Sequence, residues 1–256
     1  MSKNTKRIKK IKDIFDQSIV TKKNLFDLPF RIGLIGRSGS GKTNILINLL
    51  NDEFYGKDID SDNIYIISGS LSSDNKIKDL VKRRKIPLEN LYAGYDETEQ
   101  MDLYDMLQDN YNIAVFNKET PQHILLVYDD ISFSNSLKNT SGGAIDKFSC
   151  NSRKFLCNII FTSQKYTQLS TTVRENLNGL ICASCSDKQL EIISEDFNYM
   201  GCKKKFRKTF RTLTDEKFTF FICNLTNEKQ NRYLNSDFEP VCICNKDEKK
   251  CKNKMI

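Results

Sequence analysis

Histidine is all but absent: among 256 residues, His123 is the only one. That scarcity removes the usual base for a serine or cysteine nucleophile and leaves little on which to build a zinc centre. Long apolar runs are missing as well. No stretch approaches the ~20 residues that span a bilayer, so no membrane segment is expected. The first residues are basic but no apolar run follows them, so a secretory leader is not expected either. Cysteine is not scarce. There are nine, an odd number without a leader, which points to reduced thiols rather than a disulfide framework. Cys182-Ala183-Ser184-Cys185 has C-x-x-C spacing, yet Cys182 falls in an apolar run and reads as packing. Cys242, Cys244 and Cys251 crowd the tail.

What is present is charge, unevenly spread. Forty Lys and Arg against 33 Asp and Glu leave a net charge of +7. Lys3, Lys6, Arg7, Lys9, Lys10 and Lys12 crowd the start of the chain. Lys203, Lys204, Lys205, Arg207, Lys208 and Arg211 form a second cluster, interleaved with Phe206 and Phe210. Such clusters attract polyanions and release counterions on binding. Aromatics among the charges would add a surface on which bases stack.

The most informative run is Gly36-Arg37-Ser38-Gly39-Ser40-Gly41-Lys42-Thr43, a full match to G-x-x-x-x-G-K-[ST]. It follows the apolar run Phe30–Ile35 and precedes a helix-like run, Asn44–Leu50. That strand–loop–helix setting is what phosphate binding requires. Glycines let the loop curl so that its N–H groups converge on anionic oxygens, and the helix adds its positive end. Lys42 would reach the β- and γ-phosphates of ATP, and the Thr43 hydroxyl would take one site on Mg²⁺. The expectation is a nucleoside triphosphate site.

Further strands are expected at 63–68, 123–128, 155–161, 180–183 and 218–223, with helical spacing at 74–84, 98–109, 142–153 and 187–199. Strands alternating with helices, several of them continuously apolar, indicate an α/β fold: a P-loop NTPase, with a RecA-like, mostly parallel sheet covered on both faces. The chain divides into a basic flexible arm at 1–24, an ATPase domain at 25–239, and a Cys/Lys-rich tail at 240–256.

The run Ile124–Asp130 supplies the second half of the site. A buried strand ending in acids delivers carboxylates to the sheet's C-terminal edge, where ligands of open α/β sheets sit. Asp129 would hold Mg²⁺, and Asp130 would orient and polarise the attacking water. The next strand ends in Phe161-Thr162-Ser163-Gln164. In one broad class of P-loop ATPases this strand lies between the loop strand and the acidic strand. The amide of Gln164 would then donate to phosphate and accept from water.

Taken with Asn151-Ser152-Arg153 before that strand and Val173-Arg174-Glu175-Asn176 beyond it, these motifs resemble the FtsK–HerA superfamily of DNA-pumping ATPases. More narrowly, the chain looks like the poxvirus-type genome-packaging ATPases of large DNA viruses and virophages, over roughly residues 28–225. The resemblance implies an oligomeric ring of like subunits, commonly a hexamer, that threads double-stranded DNA into a preformed capsid by way of capsid or portal-vertex proteins. It also implies the host cytoplasm, at virus factories, and the virion as locations. In such rings one subunit's arginine completes its neighbour's site. Arg153 holds the family position for that finger, with Arg174 as the second choice. Many relatives carry Asp-Glu where this chain has Asp129-Asp130. Segments 132–143 and 203–211 are candidates for gripping DNA. Two other readings are a P-loop kinase acting on nucleosides or nucleotides, and a nucleotide switch without motor activity.

Overall fold

The computed structural model describes residues 24–130 and 142–241. Among the described residues, eight strands form one sheet: β1 (Arg31–Ile35), β2 (Ile64–Ser68), β3 (Leu91–Tyr92), β4 (Ile124–Asp129), β5 (Cys157–Ser163), β6 (Gly179–Cys182), β7 (Phe221–Asn224) and β8 (Tyr233–Leu234). Their order is β3-β2-β4-β5-β1-β6-β7-β8. The first six run parallel; at one edge β7 pairs antiparallel with β6, and β8 pairs antiparallel with β7. β4 and β5 are buried at every position. That is why they read as unbroken apolar runs rather than alternating ones.

Among the described residues, seven helices cover the two faces: α1 (Lys42–Leu49), α2 (Asn75–Arg84), α3 (Glu97–Phe116), α4 (Ala144–Asn151), α5 (Thr171–Asn176), α6 (Asp187–Phe197) and α7 (Lys203–Leu213). Leu46 and Leu49 of α1 and Ile77 and Leu80 of α2 share a core with Ile32, Leu34, Leu125 and Val127. On the other face Leu103, Phe148, Val173, Ile193, Phe206 and Phe210 pack with Leu126, Tyr128, Ile159 and Phe161. Alternate residues of one strand feed opposite cores, as a pleated ribbon requires. Capping fixes the helix starts. Asp74 accepts from the N–H groups of Lys76 and Ile77, and Asp96 from those of Thr98 and Glu99.

The expected α/β architecture is the observed one, with differences that have local causes. α3 continues about two turns past 109, but its last turns expose Ile113 and Phe116. The apolar period stops where burial stops, so it could not mark the helix end. β5 begins at Cys157 because Ser152–Phe155 forms a 3₁₀ turn and Leu156 takes φ +57°. β7 begins at Phe221, three residues later than the apolar run, because Phe218 lies in the left-handed region at φ +64°. The basic stretch 203–211 is the helix α7, and its aromatics are not a stacking surface. Phe206 and Phe210 are fully buried against Phe221 and, for Phe206, Tyr233. The basic arm, most of segment 132–143 and nearly all of the tail, with Cys242, Cys244 and Cys251, lie outside the described residues.

Candidate nucleotide site

The phosphate loop leaves β1 at Ile35 and enters α1 at Lys42. Its backbone demands glycine at two points. Gly39 and Gly41 have φ of +75° and +98°, which most side chains resist. Gly36 needs space instead. A Cβ there would lie 2.4 Å from Ser40 Oγ and 3.0 Å from Ala183 Cβ. The Gly36 N–H donates to the Ser163 carbonyl at 3.0 Å, tying the loop to the end of β5. Lys42 Nζ is folded back on the loop, donating to the carbonyls of Gly36 at 2.7 Å and Arg37 at 3.3 Å. Ser40 Oγ is buried without a hydrogen-bond partner among the described residues.

Both acids stand at the same sheet edge. Ile35 pairs with Ser163 and Tyr128 with Phe161, so the C-terminal ends of β1, β5 and β4 lie side by side. Burial holds the Lys42 ammonium below its ordinary pKa, against the opposing pull of Asp130 and then Asp129. The loop lysine thus feels both carboxylates. Burial also raises Asp129, and hydrogen bonds from Thr162 and Ser68 draw it back down. Thr162 Oγ1 donates to Asp129 Oδ1 at 2.6 Å, and Ser68 Oγ donates to Oδ2 at 3.1 Å. The Asp130 N–H donates to Thr162 Oγ1 at 3.0 Å. Asp130 has φ +49°, and its Oδ1 is buried with no partner among the described residues. Acceptor capacity left open at that depth suits a water or a metal-bound group.

Sequence reasoning did not single out Ser68 or the Thr162 hydroxyl as site groups. Their signal was positional, since both are polar residues at the C-terminal tips of strands flanking β4. Gln164 follows Ser163 directly and is half-buried. The turn beyond it is pinned by Gln168, whose Oε1 accepts from Ser163 Oγ and Lys165 N–H, each at 2.9 Å. Among the described residues no three or more of His, Cys, Asp and Glu gather to hold a metal. The carboxylate of Asp129 is a donor of the kind Mg²⁺ takes, which is commonly held by one or two carboxylates together with phosphate oxygens and water.

The two arginines differ in circumstance. Arg153 is exposed in the turn before β5, at the sheet edge opposite the phosphate loop, and makes no ion pair among the described residues. Arg174 is engaged at home. It pairs with Asp196 at 3.2 Å, lies over the Tyr166 ring at 5.5 Å, and donates to Thr171 Oγ1. Cys182 is buried in β6, as packing requires. His123 is buried just before β4, its Nδ1 3.5 Å from Asn158 Nδ2.

The family model described as "Poxvirus A32 protein" matches residues 17–255. Among curated proteins nothing matches. Among solved structures the chain is similar to B204, the DNA-packaging ATPase of Sulfolobus turreted icosahedral virus, at 16% identity and a TM-score of 0.55, covering 84% of this chain and 98% of that one. It is similar to the genome-packaging NTPase B204 of Sulfolobus turreted icosahedral virus 2 in complex with AMP, at 17% identity and 0.54, covering 77% and 93%. It is also similar to ATPases 2 and 3 of EssC from Geobacillus thermodenitrificans, at 14% and 0.52, covering 88% and 42%. At these identities the likeness is one of fold. No helix of the described residues is long and apolar enough to cross a membrane.

Proposed function

The chain belongs to the poxvirus A32 protein family, and we propose that it is an ATPase that drives double-stranded DNA into a preformed viral capsid. The observation that carries this reading is the acid pair bound by one hydroxyl, Thr162, beside a phosphate loop whose lysine lies in the field of both acids. Two adjacent acids there suit hydrolysis rather than transfer to an acceptor, because one is left over to handle water.

The residues divide the work. Loop N–H groups from Gly36 to Thr43 cradle the phosphates, and Lys42 exchanges its carbonyl partners for phosphate oxygens. Thr43 and Asp129 would hold Mg²⁺, which would supply charge neutralisation to the phosphates. Asp130 takes the proton of the attacking water, and Gln164 steadies that water against the γ-phosphate. Arg153 cannot serve its own pocket from the far edge of the sheet. In a ring of like subunits it serves the next one, where a finger is worth ~10³–10⁵ in rate. Arg174, already paired, is the weaker choice.

DNA contacts come from lysines that α7 leaves unpaired. Lys203, Arg207 and Arg211 pair with Glu191, Glu195 and Asp187 of α6. Lys204 and Lys208, one turn apart and exposed, make no ion pair among the described residues. Lys203, Arg207 and Arg211 are therefore spent within the chain.

The test is ATP hydrolysis with and without long duplex DNA, alongside assays for phosphoryl transfer to nucleosides. Stimulation by DNA is the expected result. Indifference to DNA, together with transfer to a nucleoside, would sink the motor reading.

A further inference from the structure

Phe218 stands out on the surface. It keeps 63% of its area exposed in the turn between α7 and β7, and it does so at φ +64°. A bulky residue held in the left-handed region is strained, and exposing an aromatic face to water gains nothing. Phe220, two residues on, already provides the packing there at 6% exposed. Phe218 therefore pays for something the fold does not need.

Its place says what. A Cβ built on Gly41 would lie 3.3 Å from Phe218 Cδ1 and 3.5 Å from Phe220 Cζ, so the ring lies alongside the first turn of α1. β7 runs antiparallel to β6 with Phe221 opposite Cys182, which brings the turn to the same sheet edge as the phosphate loop. The acids lie on the other flank, at the end of β4. Asp129 and Asp130 mark the γ-phosphate end of a bound nucleotide. The nucleoside must then leave the loop toward β6 and β7, where the exposed ring waits.

We propose that Phe218 is the shelf on which the purine base of the bound nucleoside triphosphate stacks. This rests on the phosphate-loop reading above and adds the subsite for the base. Stacking reads the face of a base rather than its edge, so ATP and GTP should bind alike while inorganic tripolyphosphate gains nothing from the ring.

The chain contains no tryptophan, so F218W places its one indole, excited apart from the tyrosines, at the shelf. ATP should quench it, and tripolyphosphate should not. F218A and F218G should each weaken ATP about tenfold, the loss expected for one stacked base, and leave tripolyphosphate unchanged. Glycine relieves the left-handed backbone, so F218G keeps the fold while removing the ring. Unchanged ATP affinity in both variants would overturn the proposal, as would parallel losses for ATP and tripolyphosphate. A wild-type chain that binds neither compound would instead overturn the phosphate-loop reading on which it stands.

Discussion

Thr162 holds Asp129 through a hydrogen bond of 2.6 Å, and the same oxygen receives the Asp130 N–H at 3.0 Å. One hydroxyl on β5 thus orients one acid by its side chain and the other by its backbone. The position of the carboxylates is set from the neighbouring strand rather than by β4 alone.

T162V tests that arrangement. Burial raises Asp129 and the two hydroxyls lower it, so loss of one donor raises it further. Protons compete with Mg²⁺ for the carboxylate. The acid limb of ATPase activity at limiting Mg²⁺ should therefore move to higher pH in T162V, and saturating Mg²⁺ should move it back. A pH profile identical to that of wild type would show that the hydroxyl does not tune Asp129.

The arginine finger is tested by mixing. R153A should lose about 10³-fold or more in kcat while binding ATP normally. Mixed with wild type, R153A subunits should poison their neighbours, so activity falls faster than the fraction of wild-type chains. Strict proportionality would remove Arg153 from the neighbour's pocket. R174A should lower thermal stability instead, because its guanidinium joins Asp196 and Tyr166 within one chain.

In α7, core packing and DNA binding fall to different side chains. F210A removes a fully buried ring and should cost about 3–5 kcal/mol in denaturant unfolding. A variant that kept its stability but lost DNA affinity would return Phe210 to a stacking role.

K204Q/K208Q should keep full stability and weaken duplex binding uniformly across sequences. Each lysine that neutralises a phosphate contributes about 0.9 to the log–log salt slope, so the pair should reduce it by about 2. An unchanged slope would mean that DNA passes elsewhere.

How much of this was legible in the chain depends on how local each cause is. Gly39, Gly41, Lys42 and Thr43 act through spacing along eight residues, and spacing is visible in sequence. β4 and β5 were legible because strands buried on both faces are apolar throughout. The Thr162–Asp129 bond was not, since it joins residues 33 apart and depends on which strand lies beside β4. α7 misled for a similar reason. Its lysines are plain in the sequence, but the acids that neutralise them lie on another helix, and Phe206 turns inward only because β7 and β8 are there to receive it. β3 and β8, each two residues long, carry too little pattern to be found at all.

β5 carries a last consequence. All seven of its residues are buried, with parallel neighbours on both sides, so it can neither slide nor fray by itself. Thr162, Ser163 and Gln164 stand at one tip, and Arg153 stands just before the other, roughly 20 Å away at ~3.3 Å per residue. A stiff rod of that kind transmits displacement without absorbing it. Were Gln164 to sense a γ-phosphate and Arg153 to reach an adjoining subunit, as proposed above, the two would share one girder, and any tilt imposed at the first would be felt at the second.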